Sequence, residues 1–163
     1  MLLKIGFGGG CHWCTEAVFQ SIKGVEKVDQ GWIASDGEHH AFSEAVLVYF
    51  DPGLISQHSL IEAHLLTHSC TGDHSMRQKY RSAIYIFNDL QYHEAVNSLK
   101  AFQNTYEERI ITKVLPFVKF KENKEELLNY YHSRPQAPFC VQYIDPKLDL
   151  LKKSWIGRII ESP

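Results

Sequence analysis

Hydrophobic and polar positions divide this chain into short blocks of alternating type. Leu2, Leu3, Ile5 and Phe7 form an apolar run that predicts a strand over 2–7, followed by glycines and then a helix over 12–23. Val18, Phe19 and Ile22 make one stripe on that helix before Gly24 closes it. A second strand is predicted over 25–33, and a third over 44–50, where "EAVLVYF" alternates and stops at Asp51-Pro52. The polar segment 35–43 between them carries the turn pair Asp36-Gly37, so a hairpin is expected. Ser56 or Ser59 would cap a helix reaching about His68, with Leu60, Ile61, His64, Leu65 and His68 on one face. A polar loop over 69–79 and a strand over 82–87 complete a β-α-β-β-α-β order. That order is an α+β, ferredoxin-like (split β-α-β) sandwich with both helices on one face of the sheet.

Beyond Phe87 the pattern predicts a long helix over 89–108 and a strand-like stretch over 111–120, which Pro116 interrupts or confines to an edge. A charged helix over 122–132 would end at Arg134-Pro135. The remaining tail is expected to wrap the surface and finish in a short helix. We read one domain over 1–163, with an α/β core over 1–120 and a C-terminal arm over 121–163.

Composition narrows the class. In 163 residues, 17 basic and 19 acidic side chains give a formal charge of -2 with no basic stripe, which argues against a nucleic-acid partner. The residues ahead of the glycines are too few for a secretory signal, and no apolar stretch has bilayer length. The expectation is a cytoplasmic, monomeric protein without a membrane partner. Four cysteines are too sparse for a disulfide scaffold, so they point to catalysis, metal or burial.

Their positions favour catalysis. "GGGCHWCT" is neither G-x-G-x-x-G nor a P-loop, because Cys11 and His12 follow the glycines. The glycines permit a sharp turn that leaves Cys11 at the first turn of the helix, where free amides and the dipole stabilise a thiolate. Cys14 three residues on completes a C-x-x-C, a pattern of dithiol redox chemistry. Taken alone, Trp13 reads as core, Glu44 as a solvated carboxylate and Tyr80 as an edge residue.

"GGGCHWCTEAVF", "SEAVLVYFDPGLIS", "YRSAIY" and "PQAPFCVQYIDPKL", in that order, resemble the A-type methionine sulfoxide reductases, in the subgroup with a second cysteine after the tryptophan. The resemblance implies reduction of methionine-S-sulfoxide, free or in proteins, with roles for particular residues. Cys11 matches the nucleophile, Trp13 the aromatic wall for the methyl group, Glu44 the acid that protonates the sulfoxide oxygen, and Tyr80 a phenol that holds it. Cys140 matches the resolving cysteine, and its place in a proline-rich tail would allow an excursion to Cys11; Cys14 is a possible second resolving thiol. No cofactor is implied beyond an external reductant, thioredoxin or a dithiol.

The chain also departs from that family. His12 stands where Phe is usual, adding polarity to the methyl pocket and a charge that could favour the thiolate. The family's second tyrosine has no counterpart, and Trp32, His39 or His40 are its candidate substitutes, with Trp32 carried forward as a substrate-binding residue. His-Asp-Pro becomes His68-Ser69-Cys70, Lys79 replaces a glutamine, and Asp73 stands off-register from Tyr80. Two other enzymes or binders compete: a C-x-x-C dithiol-disulfide oxidoreductase, and a degenerate homologue that binds methionine-like ligands without turnover. A metal protein using His64, His68, Cys70 and His74 is a weaker rival, since buried histidines on an apolar face are commoner than ligands and no HExxH is present.

Overall fold

The structure is a computed structural model that describes residues 1–72, 77 and 79–154. Strand β1 (Leu3–Gly8) leads into helix α1 (His12–Gln20), followed by β2 (Val25–Ala34) and β3 (Ser43–Phe50). Helix α2 (Gln57–Thr67), β4 (Ala83–Ile86) and α3 (Asp89–Gln103) come next. The sheet runs β5-β4-β1-β3-β2-β6, with β5 at Lys113–Pro116 and β6 at Lys119–Glu122. Its four inner strands, β4-β1-β3-β2, pair antiparallel in the expected split β-α-β arrangement. β5 adds parallel to β4, and β6 antiparallel to β2.

Alternation along the strands assigns two faces. Ile5, Phe7, Val46, Val48 and Phe50 meet Val18, Phe19 and Ile22 of the first helix region and Leu60, Ile61 and Leu65 of α2 in the main core. Phe7 stacks on Phe19 at 4.6 Å. Ile33, Ala45, Leu47, Tyr85 and Leu115 form a smaller cluster on the other face. A fully buried side chain of this size stabilises the fold by about 1.5–3 kcal/mol. The sheet's end is fixed by the pairings Gly8 with Ala45 and Trp32 with Glu44, which bring the glycine turn, Trp32 and Glu44 to one rim.

Local caps explain the helix starts. The Ser56 side chain accepts from the Ser59 amide, and Asn88 caps α3 by accepting from the Gln91 amide. Helix α3 ends five residues short of the expectation. The Gln103 side chain turns back to the carbonyls of Tyr106 and Glu108 and accepts from the Ile110 amide, stabilising a turn instead of further helix.

Residues 122–132 are not one charged helix. Pro116 ends β5 as expected, after which Lys119–Glu122 pairs with β2 and a 3₁₀ turn at Glu125–Leu127 leads to the single-turn helix α4 (Tyr130–Ser133). The tail also departs from expectation by docking rather than wrapping the surface. A π-helical turn at Cys140–Ile144 runs into α5 (Asp145–Ser154), and Cys140, Ile144, Leu148 and Leu151 all join the main core. Pro146 lacks the N–H that an α-helix would give to the carbonyl four residues back, and the wider turn falls just before it.

β6 can lie against β2 only because position 31 has no side chain. A Cβ on Gly31 would stand 2.0 Å from the Lys121 carbonyl oxygen, backbone that cannot rotate away. Gly31→Ala is therefore expected to destabilise the fold by about 1–3 kcal/mol in urea unfolding, the usual range for an overpacked site.

Candidate active site

The site is built where β1 hands over to α1. Gly9 packs on the His68 ring so closely that a Cβ there would meet it at 2.4 Å. The His64 Nε2–H donates to the Gly8 carbonyl at 2.7 Å, and Arg77 donates to the carbonyls of Gly9 and Tyr80, each at 2.9 Å. The turn is thus held from below by histidines and from the side by a guanidinium. It delivers Cys11 to the N-cap of α1, whose carbonyl accepts from the amides of Cys14 and Thr15 and from the Thr15 hydroxyl.

Cys11 is only partly exposed, and its thiol is shifted below the ordinary value of 9.0. The largest cause is a hydrogen bond from the Cys14 thiol, aided by the amides of Trp13 and Cys14, against opposition from burial and from the Glu44 charge. Cys14 itself is pushed up, first by that same hydrogen bond to Cys11 and then by burial. Such an arrangement is the physical content of a C-x-x-C at a helix start: one sulfur carries the charge and the other supplies a proton to hold it.

Glu44 faces this turn from the first residues of β3 and is buried, with 6% of its surface exposed. Its Oε1 accepts the His12 amide at 3.2 Å and lies 3.5 Å from His12 Nε2, while Oε2 is 3.6 Å from Lys79 Nζ. The 79–81 segment is tied to the start of β3: the Glu44 amide and Ser43 hydroxyl donate to the Lys79 carbonyl, and the Arg81 amide donates to Ser43 Oγ. Tyr80 sits beneath the Lys79 ammonium, 5.0 Å from its ring centre. A hydrogen bond to Tyr80 and the charge of Glu44 raise the Lys79 ammonium above its usual range.

The aromatic candidates divide. Trp32 meets the His12 ring edge-on at 5.1 Å and shares the site. Trp13 is turned to the arm, stacked on Tyr130 at 4.0 Å and met by Phe139 at 5.3 Å, so one face of its ring is covered. Cys140 is fully buried in the core beside α1, and burial pushes its thiol up. His39 pairs with Glu38 and His40 with the Gly37 carbonyl, both on the exposed turn. Cys70 is engaged by Tyr106, whose phenol is pushed up to about 12 by burial and that thiol. Asp73 and His74 lie outside the described residues.

Several residues escaped the sequence reading. Asn123 approaches His12 Nε2 at 3.4 Å, Glu16 takes the amides of Asn129 and Tyr130, and Arg77 clamps the glycine turn. Asn123 and Asn129 lie more than 100 residues from their partners, a separation at which local pattern carries no signal. Among the described residues no three His, Cys, Asp or Glu side chains gather as a metal site, and His64 and His68 instead stack on each other at 4.0 Å.

The fold and this site define a thiol-based α+β enzyme, and comparison with known proteins gives its family. The family model described as "Peptide methionine sulfoxide reductase" matches residues 3–158. A relative called peptide methionine sulfoxide reductase MsrA in Pasteurella multocida is 34% identical over 155 residues, covering 86% of this chain and 89% of that one. Among solved structures, Mxr1 of Saccharomyces cerevisiae in reduced form superposes with a TM-score of 0.76 at 20% identity, over 85% and 89% of the two chains. Mxr1 in complex with Trx2 gives 0.63 at 20% identity, over 77% and 83%. The chain belongs to the peptide methionine sulfoxide reductase family.

Two predictions follow from these charges. Alkylation of Cys11 by iodoacetamide, mapped by mass spectrometry, should show a midpoint below 9.0, and Cys14→Ala should raise it, because the largest cause of the shift is removed. Burial holds His64 well below 6.5 and His68 down to about 4, so both stay neutral in the fold while the unfolded chain takes up protons. The unfolded state then binds more protons between pH 6.5 and about 4. Stability should fall as pH drops through that window, by up to about 1.4 kcal/mol per pH unit for each histidine, read by urea unfolding across pH.

Proposed function

We propose that this chain reduces methionine-S-sulfoxide through Cys11, and the observation that carries the proposal is the placement of Cys11 at the N-cap of α1, next to the His12 amide that donates to the buried Glu44 carboxyl. The thiolate attacks the sulfoxide sulfur while the oxygen takes a proton from the Glu44 side. Oxygen leaves sulfur poorly unless protonated, so the acid must be in place as the new bond forms. Methionine departs and Cys11 is left as a sulfenic acid. The Lys79 ammonium lies at that carboxyl and over the Tyr80 ring, and the two suit an oxygen that gains negative charge.

Resolution begins with the thiol already in contact. While Cys11 is a thiolate it keeps the Cys14 proton in place, but a neutral sulfenic acid no longer does so, and Cys14 becomes free to attack. Water leaves and a Cys11–Cys14 disulfide forms. Cys140, in the same core cluster as Cys14, is the second thiol, able to exchange into that bond once the core around the π-helical turn loosens. The complex of the related fold with Trx2 supports a thioredoxin-like protein as the external reductant. A reducing cytoplasm and a monomer suit the cycle.

The test uses each sulfoxide diastereomer with dithiothreitol. Reduction of the S epimer only is expected, with none in Cys11→Ser. Cys140→Ser should still complete a turnover and show the Cys11–Cys14 disulfide by mass spectrometry. Turnover persisting in Cys11→Ser would defeat the mechanism. Reduction of a disulfide substrate with no sulfoxide reduction would support the C-x-x-C oxidoreductase instead.

A further inference from the structure

His12 is buried where the family usually has an apolar ring, and every polar atom it presents is engaged. Its Nδ1–H donates to the Gly31 carbonyl at 2.9 Å, which fixes a proton on that nitrogen. Nε2 therefore faces Glu44 Oε1 at 3.5 Å as a lone pair unless a second proton is present. Two acceptors in a buried contact repel, and one proton between them turns repulsion into a charge-assisted bond.

The surroundings also suit the state in which that proton has gone. Asn123 Nδ2 gives one hydrogen to Gln30 Oε1 at 2.7 Å, and its other is directed at His12 Nε2 at 3.4 Å. Gln30 and the Lys124 amide fix the Asn123 amide in this orientation, the latter by donating to its Oδ1 at 2.9 Å. The Glu44 carboxylate retains the His12 amide on Oε1 and the Lys79 ammonium near Oε2. Both the charged and the discharged forms of the pair thus have partners already in position.

We propose that His12 and Glu44 hold one proton in common between Nε2 and Oε1, and that this pair, rather than a lone carboxyl, is the acid that protonates the sulfoxide oxygen. His12 acts through Glu44 and is a positioning residue. The inference rests on the reductase reading above. In the balanced step, the Cys11 thiolate, the sulfoxide and the proton of the pair give the Cys11 sulfenic acid and the thioether. The Cys11 sulfur loses two electrons, the substrate sulfur gains two, and the pair is left unprotonated until solvent recharges it. An ordinary imidazole keeps its proton to about 6.5 and an ordinary carboxyl to about 4.3, so the pair extends the acid's working range toward neutral pH. The titratable groups that face the pair are Cys11 and Glu16 of the α1 region and Lys79; of these Glu16 feels the His12 charge, so the Glu44→Gln ring spectrum, which leaves Glu16 and His12 in place, is the reading free of that effect.

Single-turnover reduction of methionine-S-sulfoxide between pH 5 and 9 tests this. His12→Phe should move the alkaline limb of the rate one to two units toward acid, so that its rate at pH 8 relative to its own rate at pH 5.5 falls about tenfold or more below the parent's ratio. Loss by the same factor at every pH, or an unmoved limb, overturns the proposal. The ring ¹⁵N spectrum of His12 reads the same proton without substrate or turnover. In Glu44→Gln the proton should leave Nε2 at lower pH than in the parent, and an unchanged spectrum overturns the proposal even if His12→Phe does not fold. A parent chain inactive at all pH values would count against the reductase reading, while the ring spectrum still decides the shared proton.

Discussion

The lowered affinity of the Cys11 sulfur for its proton, at the first turn of α1, is the feature on which the rest of the site depends. Burial and the Glu44 charge both oppose it, and the Cys14 thiol and two backbone amides that converge on it outweigh them. That convergence requires Cys11 to sit at the N-cap. The turn that puts it there is held by His64 on Gly8, His68 beneath Gly9 and Arg77 on Gly9. The neutral state of the two histidines is part of the same device. A protonated His64 or His68 would place an unsolvated cation in the core, and burial keeps both uncharged.

The anion and its acid are brought together by the sheet. β1 and β3 are neighbours, and β2 pairs with β3 so that Trp32 lies opposite Glu44. The carboxyl therefore reaches the helix start without a loop of its own. A second tie closes the other side, because Ser43 and Glu44 bond the Lys79 carbonyl and bring the Lys79 ammonium to the same carboxyl. Reactive groups on rigid elements lose little entropy on reaching their working geometry.

How much of this was legible depends on the range of the interaction concerned. The β-α-β-β-α-β order could be read because each element carries its own period and its own stop, such as Gly24 or Asp51-Pro52. Cys11 and Cys14 were legible because glycines precede them on a local turn. Residues 111–120 were legible as strand, whereas 122–132 misled the pattern: their charged run suggested one helix, and the structure holds a 3₁₀ turn and a single helical turn there. The tail misled it differently: Cys140, Ile144, Leu148 and Leu151 have helical spacing, but the prolines around them suggested a surface course. Asn123, Arg77 and Tyr130 had no local signature at all, since their work is done across the fold.

His12 and Lys79 change the character of the site relative to the pattern the chain otherwise follows. A phenylalanine beside the nucleophile would offer the carboxyl nothing, and a glutamine would offer a neutral donor. Here the same carboxyl meets an imidazole on one oxygen and an ammonium near the other. In the shared-proton proposal, the imidazole keeps a proton available at the carboxyl oxygen for the moment at which the sulfoxide oxygen becomes the stronger base. Lys79, more than half exposed at the rim, is placed to face that oxygen's charge without entering the buried pair.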